Sequence, residues 1–292
     1  MLPVEISDSL INLFNTVLRL DLKITSESVL AGGSINQVLR LKTNQGYFCL
    51  KYNKAGSYPE MFKKEAMGLD ILKSAGEIRI PTVIGTDNAG PFSYILLEFI
   101  HSGPGMSDFM TDFGHSLARL HKHTAEHFGL SHDNYMGSLP QSNRLHNSFP
   151  DFFMLERLEK QLALSRKKGY FSKEDHLKFD RLYKELSGII PAEKPSLIHG
   201  DLWNGNFIVS EEGRVYLIDP AVYYGHREVD IAMSKLFGGF SPEFYSAYQE
   251  LFPMEKGWEE RMDIYNLYPL LVHLNLFGSG YLGEIRRIIS RF

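Results

Sequence analysis

An aspartate, an asparagine and a second aspartate stand at positions 201, 206 and 219, within LIHGDLWNGNFIVSEEGRVYLIDPA, residues 197–221. Phe207-Ile208-Val209 and Val215 to Ile218 read as short strands joined by a turn at Glu211-Glu212-Gly213. A hairpin therefore separates Asn206 from Asp219, thirteen positions later. Phosphoryl transfer from a nucleotide needs such a set. One carboxylate orients the attacking hydroxyl, while an amide and a second carboxylate hold Mg²⁺ on the phosphates. Asp201 takes the first role in this reading, and Asn206 and Asp219 the second. Three unrelated polar residues at strand ends would have no reason to share this spacing.

These residues need a scaffold, and the chain supplies one in order. Ile6, Leu10, Leu13, Phe14, Val17 and Leu18 have helical spacing over 5–20. Strands are expected at 24–30, 38–42, 47–52, 82–86 and 94–100, with turn residues between them. Ala31-Gly32-Gly33-Ser34 lies between the first two strands, where glycines let backbone N–H groups approach phosphates, although many such triplets are plain turns. Lys51 lies near the end of the third strand. A helix after Pro59 carries the apolar stripe Phe62, Leu69 and Leu72, with Glu65 beside it and Glu60 as a competing acid. His101-Ser102-Gly103-Pro104-Gly105 breaks the strand pattern and reads as a linker, giving an N-terminal lobe over 1–100 and a C-terminal lobe over 101–292. From 108 the pattern is mostly helical, at 108–123, about 151–168 and 173–187.

His199-Gly200-Asp201 followed by Asn206 and Asp219 resembles the protein-kinase-like superfamily that phosphorylates small molecules, including aminoglycoside and choline kinases. HGDLWNGN, with Trp203 and Gly205, is similar in particular to the fructosamine kinase (ketosamine-3-kinase) family, as is the run DPAVYYGHREVDIAMSKLFGGF over 219–240. The likeness covers nearly the whole chain and is most specific in its C-terminal half. It implies an α+β fold of two lobes, the small one an antiparallel sheet plus helix and the large one mainly helical. It implies further that Gly32, Gly33 and Ser34 cover phosphates, that Lys51 pairs with Glu65 to hold the α- and β-phosphates, and that Glu98 and Ile100 belong to a hinge against adenine. Asp230 would either cap a helix or brace the catalytic loop, and His199 would brace the metal-binding segment. Trp203 would be either a wall against the acceptor or a plug beneath the loop.

Composition sets the outer bounds. A chain with 43% hydrophobic and 23% charged residues is ordinary for a globular protein, and a net charge of −4 gives no footprint for nucleic acid. The apolar region Ile264 to Leu282 carries Asn266, Pro269, His273 and Asn275 and reads as a core helix, not a membrane span. Cys49 is the single cysteine, which excludes an intrachain disulfide, and it reads as a strand residue. His115, His121, His123 and His127 include one i,i+4 pair, His123 and His127, but no HEXXH pattern; they read as structural. The N-terminus shows no basic segment leading into an apolar core, so a cytoplasmic protein is expected. The resemblance implies ATP and Mg²⁺ as cofactors, and as acceptor a small or protein-bound ketoamine, a ribulosamine or a fructosamine, phosphorylated at its third carbon in deglycation repair. The alternatives are another small-molecule kinase, of the aminoglycoside or choline type, and an inactive pseudokinase. Oligomeric state is not legible.

Overall fold

The computed structural model describes residues 2–30, 35–105 and 108–292. The chain divides into two compact units, Met1–Met106 with Phe207–Asp219, and Ser107–Asn206 with Pro220–Phe292. The boundary expected at residue 100 follows chain order, whereas contacts assign the hairpin before Asp219 to the first unit.

In the first unit, helix α1 (Val4–Leu13) buries Ile6 and Leu10, one turn apart. It continues not as α-helix to residue 20, as expected, but as a π-helical turn over Phe14–Leu18 ending at Arg19, whose φ is 56°. The wider turn rotates later residues off the apolar stripe. Phe14 stays buried while Val17 and Leu18 face solvent. Strands β1 (Ile24–Val29), β2 (Gln37–Thr43), β3 (Gly46–Lys54), β4 (Val83–Ala89) and β5 (Phe92–Glu98) form one antiparallel sheet in the order β1-β2-β3-β5-β4. Leu39, Leu41, Leu50, Tyr94 and Leu96 pack with Ile6, Leu10 and Phe14 on one face. Side chains alternate along a strand, so Lys51 points to the opposite face from Leu50. Helix α2 (Met61–Ala75) meets it there.

The hairpin of Phe207–Val209 and Val215–Leu217 is stitched into this unit by backbone hydrogen bonds. Gly103 N–H donates to Val209 O at 3.1 Å, Glu211 N–H to His101 O at 3.0 Å, and Leu217 N–H to Arg79 O at 3.0 Å. The segment expected as a linker thus pairs with the hairpin.

The second unit is mainly helical. Its helices are α3 (Phe109–Leu120), α4 (Phe149–Phe152), α5 (Glu159–Lys167), α6 (Lys173–Ile189), α7 (Glu228–Leu236), α8 (Pro242–Leu251), α9 (Trp258–Phe277) and α10 (Leu282–Ile289). A π-helical turn, Phe153–Leu158, joins α4 to α5 within the single helix expected there. Ser172 and Asp175 form a capping box that starts α6. Because α3 ends at Leu120, His123 and His127 lie outside a helix and do not share a helical face. Asn266 and Asn275 are buried in α9 and donate to the carbonyls of Ala232 and Gln161, at 3.1 and 3.0 Å. They tie the helix to its neighbours, and no described helix is long and apolar enough to cross a membrane.

Candidate active site

Each unit carries its own set of polar residues. In the first, β3 places Lys51 between Val38 and Ile95 of the flanking strands, so its ammonium is buried. A buried cation is costly unless paired. Lys51 Nζ lies 2.7 Å from Glu65 Oε1 of α2 and forms a second ion pair with Asp219 Oδ1. The competing acid, Glu60, pairs instead with Lys63 at 3.2 Å. Asp219 follows the hairpin with a φ of 54°, a left-handed conformation that Asp tolerates better than most residues and that recurs at functional sites. Its carboxylate remains 46% exposed. Glu98 is tied to Thr82, donating from its own N–H at 2.8 Å and accepting at Oε2 at 3.0 Å, and Ile100 is buried just beyond β5. Gly32, Gly33 and Ser34 lie outside the described residues.

In the second unit the strand Ser196–Ile198 pairs with Tyr223–Gly225 and delivers the chain to His199-Gly200-Asp201. Gly200 has a φ of 82°, and a Cβ there would collide with the carbonyl of Ala221, so only glycine fits. Asp230 lies in the first turn of α7, past the capping position, which belongs to Arg227. It is fully buried, and its two carboxylate oxygens accept the N–H groups of His199 at 2.7 Å and Gly200 at 2.9 Å. Of its two expected roles, bracing is the one the geometry displays. His121 Nε2 stands 3.2 Å from the same carboxylate, with Nδ1 2.8 Å from the Tyr248 hydroxyl. His199 Nδ1 accepts the Asp201 N–H at 3.3 Å, and His199 O accepts from Ala221 N–H at 2.9 Å.

Asn206 closes the loop from the other side. Its amide nitrogen donates to Asp201 O at 2.8 Å and to Asp201 Oδ2 at 2.9 Å. With both N–H groups directed at Asp201, the atom Asn206 can offer to a cation is Oδ1. Burial pushes the Asp201 carboxyl up to about 7; the Asn206 hydrogen bond opposes the shift and the Asp230 charge adds to it. A carboxyl poised near neutrality suits proton transfer at physiological pH. Among the described residues no cluster of three His, Cys, Asp or Glu side chains could hold a metal by itself. The Asp219 carboxylate in the first unit and the Asn206 amide oxygen in the second are each hard oxygen donors of the kind that Mg²⁺ takes when it arrives with phosphates.

Trp203 is half-buried, and its ring meets Phe237 edge-on, centroids 5.9 Å apart. Gly205 lies against the same ring, where any Cβ would clash. Phe237 in turn stands 5.0 Å from His273, which neighbours Tyr281 at 5.1 Å and Phe277 at 5.4 Å. The His273 Nδ1 donates to Pro269 O at 2.7 Å, which leaves Nε2 as an acceptor on the neutral ring. Burial lowers the His273 pKa and favours that neutral form. The aromatic row was not read from sequence, because its members are 34 and 36 residues apart in the chain. The HREVD run has a supporting place: Arg227 grips Glu193 at 2.8 to 3.0 Å and Arg261 grips Glu228 at 2.5 to 2.8 Å.

Comparison with known proteins extends these observations. The fructosamine kinase family profile matches residues 7–292. A protein from Enterococcus faecium named as a ketoamine kinase is 38% identical over 278 residues, covering 93% of this chain and 97% of that one. A chloroplastic protein-ribulosamine 3-kinase from Arabidopsis thaliana is 36% identical over 278 residues, covering 92% and 83% of the two chains. The crystal structure of a protein described as a fructosamine-3-kinase from Haemophilus somnus superposes with a TM-score of 0.88 at 28% identity, covering 97% of this chain and 96% of that one.

Proposed function

Because the chain belongs to the fructosamine kinase family, we propose that it is an ATP-dependent kinase that phosphorylates the third-carbon hydroxyl of ketosamines, ribulosamines or fructosamines, on small amines or on proteins. The observation that carries this reading is the Asp201 carboxyl, fixed by Asn206 on a loop clamped through Asp230. The acceptor oxygen attacks the γ-phosphorus, the bond to the bridging oxygen breaks and ADP leaves, while the hydroxyl proton passes to Asp201. Lys51, held by Glu65, supplies the ammonium for the α- and β-phosphates. Gly32, Gly33 and Ser34 cover the phosphates, and Glu98 and Ile100 meet the adenine. Asn206 Oδ1 and the Asp219 carboxylate would be the oxygen donors for Mg²⁺, which when bound would neutralise phosphate charge.

Trp203 forms a wall against the acceptor sugar, with Phe237 behind it and His273 Nε2 as a further acceptor in the same row. The phosphorylated adduct then eliminates phosphate and frees the amine, so the reaction serves deglycation, in the cytoplasm. The presence of Lys51, Asp201, Asn206 and Asp219 together argues against a pseudokinase. A coupled ADP-release assay with ribulosamine, fructosamine, aminoglycoside and choline acceptors tests the reading. Turnover confined to ketosamines is expected, and turnover confined to an aminoglycoside or choline would overturn it.

A further inference from the structure

Helices α3 and α8 are locked together. Gly114 packs so closely on the carbonyl of Phe244 that a Cβ would not fit, and Phe113 meets both Phe240 and Phe244 at 5.7 and 5.1 Å. At the start of both helices the packing opens into a pocket of about 450 Å³, lined by Phe109, Met110, Thr111, Gly239, Phe240, Ser241 and Glu243. Apolar and polar surface line it in similar measure. Among the described residues that line it, the one charge is Glu243, whose carboxylate accepts the Ser241 hydroxyl at 2.5 Å and is held below the usual range by that bond.

The segment that lines one side of the pocket also touches the loop that carries Asp201 and Trp203. Gly239, with a φ of 92°, lies directly on the side chain of Asn204, three residues after Asp201, and a Cβ at 239 would displace it. Phe237, two residues earlier, carries Trp203. Residues 237–240 thus back the loop on one side and wall the pocket on the other. A ketosamine is a sugar joined to an amine, so a sugar placed at Asp201 leaves an amine substituent to be accommodated beside the loop, where this segment and its pocket lie. We infer that the pocket is the subsite for the amine-borne arm of the acceptor, an aliphatic chain bearing a cation, as on a glycated lysine or diamine; the inference rests on the ketosamine kinase reading above. Phe109, Met110 and Phe240 take the methylenes out of water, and Glu243 faces the cation.

The test uses acceptors with one sugar and three arms: the ribulosamines of methylamine, of pentylamine and of 1,5-diaminopentane. The parent protein should favour the pentyl over the methyl arm by about tenfold in kcat/KM, the effect of taking about two of its four extra methylenes out of water. The terminal ammonium should add about threefold, the scale of an exposed ion pair. Glu243→Gln, a surface change that keeps an acceptor for Ser241, should erase the difference between pentyl and aminopentyl arms. Thr111→Phe, which fills the pocket, should collapse the ratio between pentyl and methyl arms. Equal kcat/KM for the three arms in the parent overturns the subsite while leaving the kinase reading intact, as do unchanged ratios in both variants. Absence of turnover on every ribulosamine overturns both.

Discussion

Asp219 lies against the buried ammonium of Lys51, whereas Asp201 lies among hydrogen-bond donors with a second carboxylate, Asp230, nearby. The two carboxyls carry the same chemistry into opposite environments. Opposite charge stabilises an ionised carboxylate, while burial beside like charge favours its protonated form. The first therefore suits a permanent anion that shares cations, and the second a group that takes and returns a proton. The supports differ in kind as well. Asp219 is placed by an ion pair and a left-handed backbone turn, and Asp201 by a loop whose N–H groups are fastened through Asp230.

The largest effect should come from removing the proposed proton acceptor. Asp201→Asn keeps the shape and can still accept the Asn206 hydrogen bond, so the loop should stand. Turnover should fall by ~10²-fold or more, the usual scale for a general base. Nucleotide affinity, read by calorimetry or fluorescence, should hardly move. Near-parental turnover would erase the distinction between the two carboxyls.

Asp219→Ala tests the other side. It removes an anion proposed to touch the metal, so Mg·ATP binding should weaken along with turnover, where Asp201→Asn changes turnover alone. Asn206→Ala should be milder and partly rescued by raised Mg²⁺. The rescue should be incomplete, because Asn206 also donates to Asp201 Oδ2. Parental Mg·ATP affinity in Asp219→Ala would remove Asp219 from the metal site.

Trp203→Ala should act on the acceptor with little change in nucleotide binding. Misplacing a reactive hydroxyl by about 1 Å can cost on the order of 10²-fold. The ring is half-buried, against Phe237 and Gly205, so stability should fall by less than the roughly 3–5 kcal/mol of a fully buried Trp. A melting curve beside an acceptor titration separates the two effects. A large stability loss with unchanged acceptor KM would make Trp203 a plug.

How far the sequence reveals this arrangement depends on distance along the chain. The five strands follow from alternation, and Lys51 and Glu65, only 14 residues apart, meet as the resemblance implied. The π-helical turn at Phe14–Leu18 was invisible because Val17 and Leu18 have the right spacing for a stripe that the wider turn abandons. The bonds from Arg79, His101 and Gly103 to the hairpin join backbones, which leave no side-chain signature. Asp230 was recognisable as a support but not as the acceptor of two particular N–H groups. The aromatic row from Trp203 through Phe237 to His273 is created entirely by tertiary packing. Arg157 was hidden for the same reason: its buried guanidinium lies 4.0 Å from the Tyr223 ring and 4.5 Å from that of Phe152.

The smallest and most specific effect is one of stability against pH. In the unfolded chain Asp201 titrates near the ordinary carboxylate value of about 3.9, and in the folded protein its pKa is raised to about 7. Between those values the folded state binds the proton that the unfolded state has lost, so stability falls as pH rises. The contribution is fully present below pH ~4 and is lost by the time pH passes the folded pKa, with a total of a few kcal/mol. Asp201→Asn carries no such proton. Melting curves of parent and variant without nucleotide should therefore separate as pH climbs from 4 to 8, the variant becoming the more stable. Other titrating groups are common to both proteins, and those not coupled to Asp201 drop out of the difference. The same substitution would then gain stability where it loses turnover, as expected when a functional carboxyl is held in an unfavourable environment. A gap that stays constant from pH 4 to 8 would mean that Asp201 titrates as an ordinary carboxylate, and the contrast between the two carboxyls would fail.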